Sequence, residues 1–219
     1  MFCGQLISHH LPLLHLHDKV SQALQLMADH KVSHLPVVND EKYVGLVGED
    51  DLLEADENQL LETLSQHFSN VFVRFNDHIL IAAKVMLATN TDTIPVLTET
   101  DELEGAFSAT ELARQLALFS GVDQEGSIIM LELERKAYAF GEINRLVESN
   151  DAIITQINTS IDPASEIMMV TLRINKNEIS DVVATLQRHD YNVKYYHGEE
   201  LYRNELQTNL EHLMNYLSI

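Results

Sequence analysis

The chain has 219 residues, 45% of them hydrophobic and 22% charged, which suits a soluble globular protein with room for one large domain or two smaller ones. Its 34 acidic and 14 basic residues leave a formal net charge of −20, a surface that repels phosphate backbones and disfavours nucleic-acid or anionic-membrane partners. No apolar run approaches the roughly 20 residues that span a bilayer, no signal peptide is read at MFCGQLISHH, and the single cysteine, Cys3, fits a reducing cytoplasm.

Met1 to His17 leads in with four of the 11 histidines, His9, His10, His15 and His17. On a strand His15 and His17 share a face, a spacing that suits a metal. No cysteine cluster or helical histidine pair completes a ligand set, so scattered surface histidines are the expectation. Cys3 falls in a terminus expected to be mobile, a poor place to hold a nucleophile.

Ser21 to His30 reads as a helix, with Val20, Ala23, Leu24, Met27 and Ala28 at helical spacing. Leu35 to Val38 is a short strand, Asn39 to Lys42 a turn and Tyr43 to Val47 the return strand; a helix follows from Asp50 or Asp51 to about Ala55. Glu57 to Asn70 is a polar connector with a helical middle.

The same programme then recurs: a strand at Val71 to Val73, a helix over Ile79 to Ala88, strands at Ile94 to Leu97 and Leu103 to Phe107, and a closing helix over Thr110 to Phe119. Asp18 aligns with Asp77, Met27 with Met86 and Pro36 with Pro95, each 59 residues apart. Past the turn the offset is 60, aligning Gly45 with Gly105 and Asp51 with Glu111. Two copies are too few for a solenoid. They predict two half-domains closing on each other around a pseudo-twofold cleft.

Ser120 to Gly126 is the expected domain boundary. Strands at Ile128 to Leu133, Ile153 to Ile161, Ile167 to Ile174 and Val193 to Tyr196, with helices at Phe140 to Ser149 and Glu178 to Arg188, give the order βαββαβ of a ferredoxin-like split unit. Glu200 to Leu217 reads as an amphipathic helix with Leu206, Leu210, Leu213 and Leu217 in one stripe. The expected division is 1–60 and 61–120 for the two halves, 127–199 for the βαββαβ unit and 200–219 for the terminal helix.

Each copy ends in a buried strand that runs into a helix start: Gly45-Leu46-Val47-Gly48-Glu49-Asp50-Asp51, and Gly105-Ala106-Phe107-Ser108-Ala109-Thr110-Glu111. A helix N-terminus offers unpaired N–H groups and a positive dipole end, and an acid one turn in can accept hydrogen bonds from a ribose diol. Asp51 and Glu111 also read as ordinary dipole-compensating acids; their matched positions in two copies favour neither reading over the other.

These two halves resemble the cystathionine-β-synthase (CBS) domain pair, or Bateman module. Leu35-Pro36-Val37-Val38 with Gly45-Leu46-Val47-Gly48-x-x-Asp51 matches the first half of that pattern, and Ile94-Pro95-Val96-Leu97 with Gly105-Ala106-Phe107-Ser108-x-x-Glu111 the second. The resemblance implies adenosine-containing ligands (AMP, ADP, ATP or S-adenosylmethionine) in the clefts. By position Asp51 and Glu111 hold ribose, Leu35-Pro36 and Ile94-Pro95 line adenine, and Ser108 contacts phosphate or ribose. Gly48 stands where the family carries Thr or Ser, and Glu111 where it carries Asp, so the clefts are unequal and at most one is expected to be occupied. Cations near them are sparse, which puts AMP or a neutral adenosyl compound ahead of a triphosphate; an adenine nucleotide, with Mg²⁺, is a ligand here and no cofactor is required.

The βαββαβ unit resembles an ACT domain, with Tyr138 near the position of that family's glycine, and the whole chain is similar to acetoin-utilisation-type regulatory proteins. No Gly-x-Ser-x-Gly, Gly-x-x-x-x-Gly-Lys or Gly-x-Gly-x-x-Gly occurs. The expectation is a non-enzymatic cytoplasmic ligand sensor, an α/β (α+β) homodimer that acts on a protein partner. The alternative is an interaction scaffold with degenerate sites.

Overall fold

The computed structural model describes residues 1–8 and 10–198. The chain forms two compact units, one from Met1 to Phe119 and one beginning at Ser120. His9 and the amphipathic helix expected over Glu200 to Leu217 lie outside the described residues.

The N-terminal unit contains two mixed three-stranded sheets. In the first half β1 (Leu14–His15) runs parallel to β2 (His34–Asn39), which pairs antiparallel with β3 (Lys42–Gly48); α1 (Val20–His30) connects β1 to β2 and α2 (Glu49–Leu53) follows β3. In the second half β4 (Val73–Arg74), α3 (Ile79–Thr89), β5 (Thr93–Leu97), β6 (Leu103–Ser108) and α4 (Ala109–Phe119) repeat the order and pairing. Helix α1 turns Val20, Ala23 and Met27 inward, and α3 turns Ile79 and Ala82 inward, the 3–4 spacing of a helix that buries one stripe. Both helices stop at a left-handed residue at matched positions, Lys31 and Asn90.

The halves are not contiguous in sequence. The segment before each copy crosses over to complete the other. Cys3 and Gly4 donate N–H groups to the Asp77 and Phe75 carbonyls, and Ser8 bridges to Ala106. Symmetrically, Val20 donates to the Gln59 carbonyl, Leu61 to that of Asp18, and Ser69 bridges to Leu46. The second half's core thus holds Cys3 and Leu6 with Ile94, Val96 and Phe107, while the first half's holds Leu61 with Leu14, Met27, Leu35 and Val47. This explains the repeated glycines. A Cβ on Gly45 would lie 2.7 Å from Phe68 Cβ, and one on Gly105 would lie 2.5 Å from Ile7 Cγ2, so each glycine is where a crossing segment presses on a strand.

Three expectations change here. Cys3 is not mobile: it sits fully buried at the start of a 3-10 turn, Cys3–Leu6, and burial, with the Asp77 charge close by, pushes its thiol up to about 11. The connector's helical middle is a 3-10 helix, Leu61–His67. His17 lies outside the two-residue β1, so it does not share a strand face with His15; it approaches Glu62 at 3.7 Å on the surface.

The C-terminal unit is β7 (Ser127–Glu134), α5 (Phe140–Glu148), β8 (Ile154–Ile161), β9 (Ile167–Ile174), α6 (Ser180–Arg188) and β10 (Asn192–His197). Its strands stand in the order β10-β7-β9-β8, all antiparallel, which is the ferredoxin-like arrangement. Alternate residues of β9 (Met168, Val170, Leu172, Ile174) are buried with Ile143, Leu146 and Val147 of α5 and Val182 and Leu186 of α6.

Candidate functional site

The two halves meet where the turns before β2 and β5 approach the starts of α2 and α4. Glu49 donates its N–H to the Ser33 carbonyl at 2.8 Å, and Ala109 donates to the Asp92 carbonyl at 2.7 Å, equivalent contacts in the two copies. These bonds correct one premise of the anion-binding reading: the first N–H of each helix is already satisfied within the protein, and α2 is a single short turn.

Symmetry breaks at the side chains. Ser33 in the first half corresponds to Asp92 in the second, and only Asp92 reaches across. Its carboxylate accepts the Ser33 N–H at 2.6 Å and faces His34 Nδ1 at 2.9 Å. Burial alone would raise the Asp92 carboxyl, but the His34 and Ser33 hydrogen bonds and the His34 charge hold it below the ordinary aspartate range. An ionised Asp92 can only accept, so the proton in this contact belongs to His34 Nδ1.

On the first-half side lie two adjoining hollows of about 450 and 360 Å³. His34, Gly48 and Asp51 line both. Ser33, Glu49, Asp50, Asn90 and Asp92 complete one, and Leu46, Ser69, Val71, Thr89 and Thr91 the other. The walls therefore come from both halves and from the crossing segment. Asp51 is exposed to this space, and no side-chain hydrogen bond ties its carboxylate among the described residues.

The second copy differs in kind. Ser108 and Glu111 form a reciprocal cap on α4: Glu111 Oε2 accepts the Ser108 N–H at 2.7 Å and its hydroxyl at 2.6 Å, while the Glu111 N–H reaches Ser108 Oγ at 3.4 Å. Burial would raise the Glu111 carboxyl; the Ser108 bonds, the Ser8 hydroxyl and the Arg114 charge lower it instead. The extra methylene of Glu111 lets the carboxylate turn back on its own helix start. Gly48 offers Asp51 no hydroxyl, so Asp51 stays outward. Ser-x-x-Glu is a capping-box signature visible in the sequence, and it assigns Glu111 a structural role.

Of the other residues named from the sequence, Leu35 and Ile94 are fully buried in the two cores, and Pro36 and Pro95 are buried opposite Leu46 and Ala106. None of the four lines either hollow. His34, Asp92, Ser69, Thr89 and Thr91 were not picked out as site residues. They belong to the end of α3, the start of β2, the turn before β5 and a crossing segment, whose mutual approach has no local sequence signal. Among the described residues no group of three or more His, Cys, Asp or Glu side chains is placed to hold a metal. Tyr138 packs partly buried against the core of the C-terminal unit.

Gly48→Ser should reproduce the second copy's cap in the first. A Cβ there meets Asp51 Oδ2 and two His34 atoms, all at 3.6 Å, ordinary contact, so thermal melts should show a gain of a few tenths of a kcal/mol, whereas Glu111→Ala should lose about 1 kcal/mol. The carboxyls of Asp92 and Glu111 are depressed in the fold, so the unfolded chain takes up protons first. The stability they contribute is present above the ordinary carboxylate range and is lost as pH falls through their depressed values. Asp92→Asn should lower the melting point at neutral pH and flatten its acid limb; an unchanged limb in melts from neutral to acidic pH would contradict this linkage.

Comparison with known proteins places this architecture. Residues 3–58 match the model of the CBS domain family. An inosine-5′-monophosphate dehydrogenase of Korarchaeum cryptofilum (strain OPF8) is 30% identical over 112 residues, which are 51% of this chain and 24% of that enzyme. The chain thus spans about a quarter of that curated relative. A CBS domain pair/ACT domain protein of Thermotoga maritima superposes with a TM-score of 0.50 at 22% identity, covering 54% of this chain and 98% of that one. A CBS domain protein of Pyrobaculum aerophilum, solved with AMP, gives a TM-score of 0.48 at 20% identity over 56% of this chain and 98% of its own. No helix among the described residues is long and apolar enough to cross a membrane.

Proposed function

We propose that the chain is a non-enzymatic regulatory protein built on a CBS domain pair, whose cleft at Asp51 takes an adenosine-containing ligand; the match of residues 3–58 to the CBS domain model and the repeated half-domain fold support this. One observation carries this reading: of the two matched acids, Asp51 faces open space with an untied carboxylate while Glu111 is consumed by its own helix cap. A carboxylate beside threonine and serine hydroxyls suits a ribose, and the wall residues from both halves make closure around a ligand a change in the angle between them. The ligand's differential affinity for open and closed arrangements, typically about 1–3 kcal/mol, is the coupling available to a partner. Among the described residues no lysine or arginine lines the hollows, which favours AMP or a neutral or cationic adenosyl compound over a free triphosphate.

The C-terminal unit is read as an ACT-type domain that relays this change. Tyr138, partly buried against its core, stands near the position of that family's glycine, which favours the relay role over an amino-acid site.

Thermal melts with AMP, ADP, ATP and S-adenosylmethionine, with and without Mg²⁺, test the reading. A ligand at 100 times its dissociation constant adds about 2.7 kcal/mol. Asp51→Ala should abolish the shift and Glu111→Ala should keep it. Silence with every compound at millimolar concentration would leave the scaffold alternative.

A second copy of the chain is the proposed partner of α3. Leu80, Ile81 and Leu87 are 50%, 44% and 87% exposed there, whereas the matched positions of α1 are Ser21, Gln22 and Ala28. So apolar a face on one helix and not its twin calls for cover. Ile81→Glu with Leu87→Glu should convert a dimer to a monomer by light scattering, with the melt of the N-terminal unit largely kept; an unaltered dimer mass would exclude α3 as the interface.

A further inference from the structure

We infer that His34 is the second member of a two-acceptor clamp for a vicinal diol, with Asp51 as the first; this rests on the reading of the Asp51 cleft as the ligand site. The argument starts from the space at Gly48. A Cβ built there lies 3.6 Å from Asp51 Oδ2 and 3.6 Å from His34 Nε2. Two polar atoms therefore border the one small volume that the glycine leaves empty. Neither has a hydrogen-bond partner among the described residues, and both side chains line both hollows.

The imidazole is not free to turn. Its Nδ1 is held at 2.9 Å by Asp92 Oδ1, and Asp92 is fixed in turn by the Ser33 N–H at 2.6 Å. With Nδ1–H donating to Asp92, the Nε2 of that neutral tautomer carries a lone pair. Asp51 presents a carboxylate oxygen. Two acceptors converging on one volume match two donors on adjacent carbons, the 2′- and 3′-hydroxyls of a ribose. Glu49, Asp50 and Asp92 around them disfavour an anion in that place. The second copy has no such pair: Thr93 stands where His34 does, opposite Ser108, and the Ser108 hydroxyl already occupies Glu111. Asp92 acts as a positioning residue.

Calorimetry with AMP, 2′-deoxy-AMP and 3′-deoxy-AMP at mildly alkaline pH tests the clamp. The wild-type protein should bind each deoxy form about three- to tenfold more weakly than AMP, the span of one hydrogen bond. His34→Ala should bind AMP more weakly by that factor and become indifferent to one hydroxyl while still sensing the other. Gly48→Ser, which leaves His34 intact and fills the volume between the acceptors, should erase discrimination at both. Full discrimination at both hydroxyls in His34→Ala overturns the clamp and leaves the Asp51 cleft standing. Equal binding of all three nucleotides by the wild type, or no binding of AMP, overturns the clamp; the latter result, joined to silence in the melts, removes the site reading as well.

Discussion

Each half of the N-terminal unit lacks a wall of its own core, and the segment that precedes the other half supplies it. Leu6 and Cys3 are buried with Phe107, and Leu61 with Leu14 and Leu35. The backbone bridges Ser8–Ala106 and Leu46–Ser69 lock these segments down against two glycines that have no side chain to obstruct them. The halves cannot separate without opening both cores, so the cleft between them is a consequence of how the chain closes. That closure also sets the wall composition: Ser69 and Val71 reach the hollows because the crossing segment passes there.

Within this nearly symmetric frame the chemistry is decided by very small differences. One methylene and one hydroxymethyl group separate Glu111 with Ser108 from Asp51 with Gly48, and they turn one carboxylate into a helix cap and leave the other in open space. One carboxylate in place of a hydroxyl, Asp92 against Ser33, ties the second half to the first and orients His34. Duplication makes two equivalent positions; capping and cross-half hydrogen bonding then dispose of them differently.

The C-terminal unit shows how far pattern alone reaches when a fold is regular. Its central strands β7 and β9 alternate, most clearly β9, and its helices each bury one stripe, so the βαββαβ element order, from which the ferredoxin-like sheet order β10-β7-β9-β8 is expected, is readable from local periodicity and short connections. The N-terminal unit is legible in the same way only up to its half-repeats. Its short first strands, two residues each, carry too little pattern to fix their bounds, so a strand expected over Val71 to Val73 is in fact Val73–Arg74, and a three-turn apolar helix such as α3 reads as core although its outer face lies open.

By itself the sequence determined the duplication, the proline strands and return strands of each copy, the βαββαβ order and the inequality of the two copies at Gly48 and Glu111, because each is a matter of periodicity or of residue identity at matched positions. Only the tertiary structure decided that the leading segments cross over, that Leu35 and Ile94 are core and not cleft, and that His34, Asp92, Ser69 and Thr91 stand around Asp51. Those facts depend on contacts between residues about 20 to 100 positions apart, which no local preference encodes. The same holds for Asp51 and Glu111: their equivalence is written in the repeat, and their different fates in the space around them.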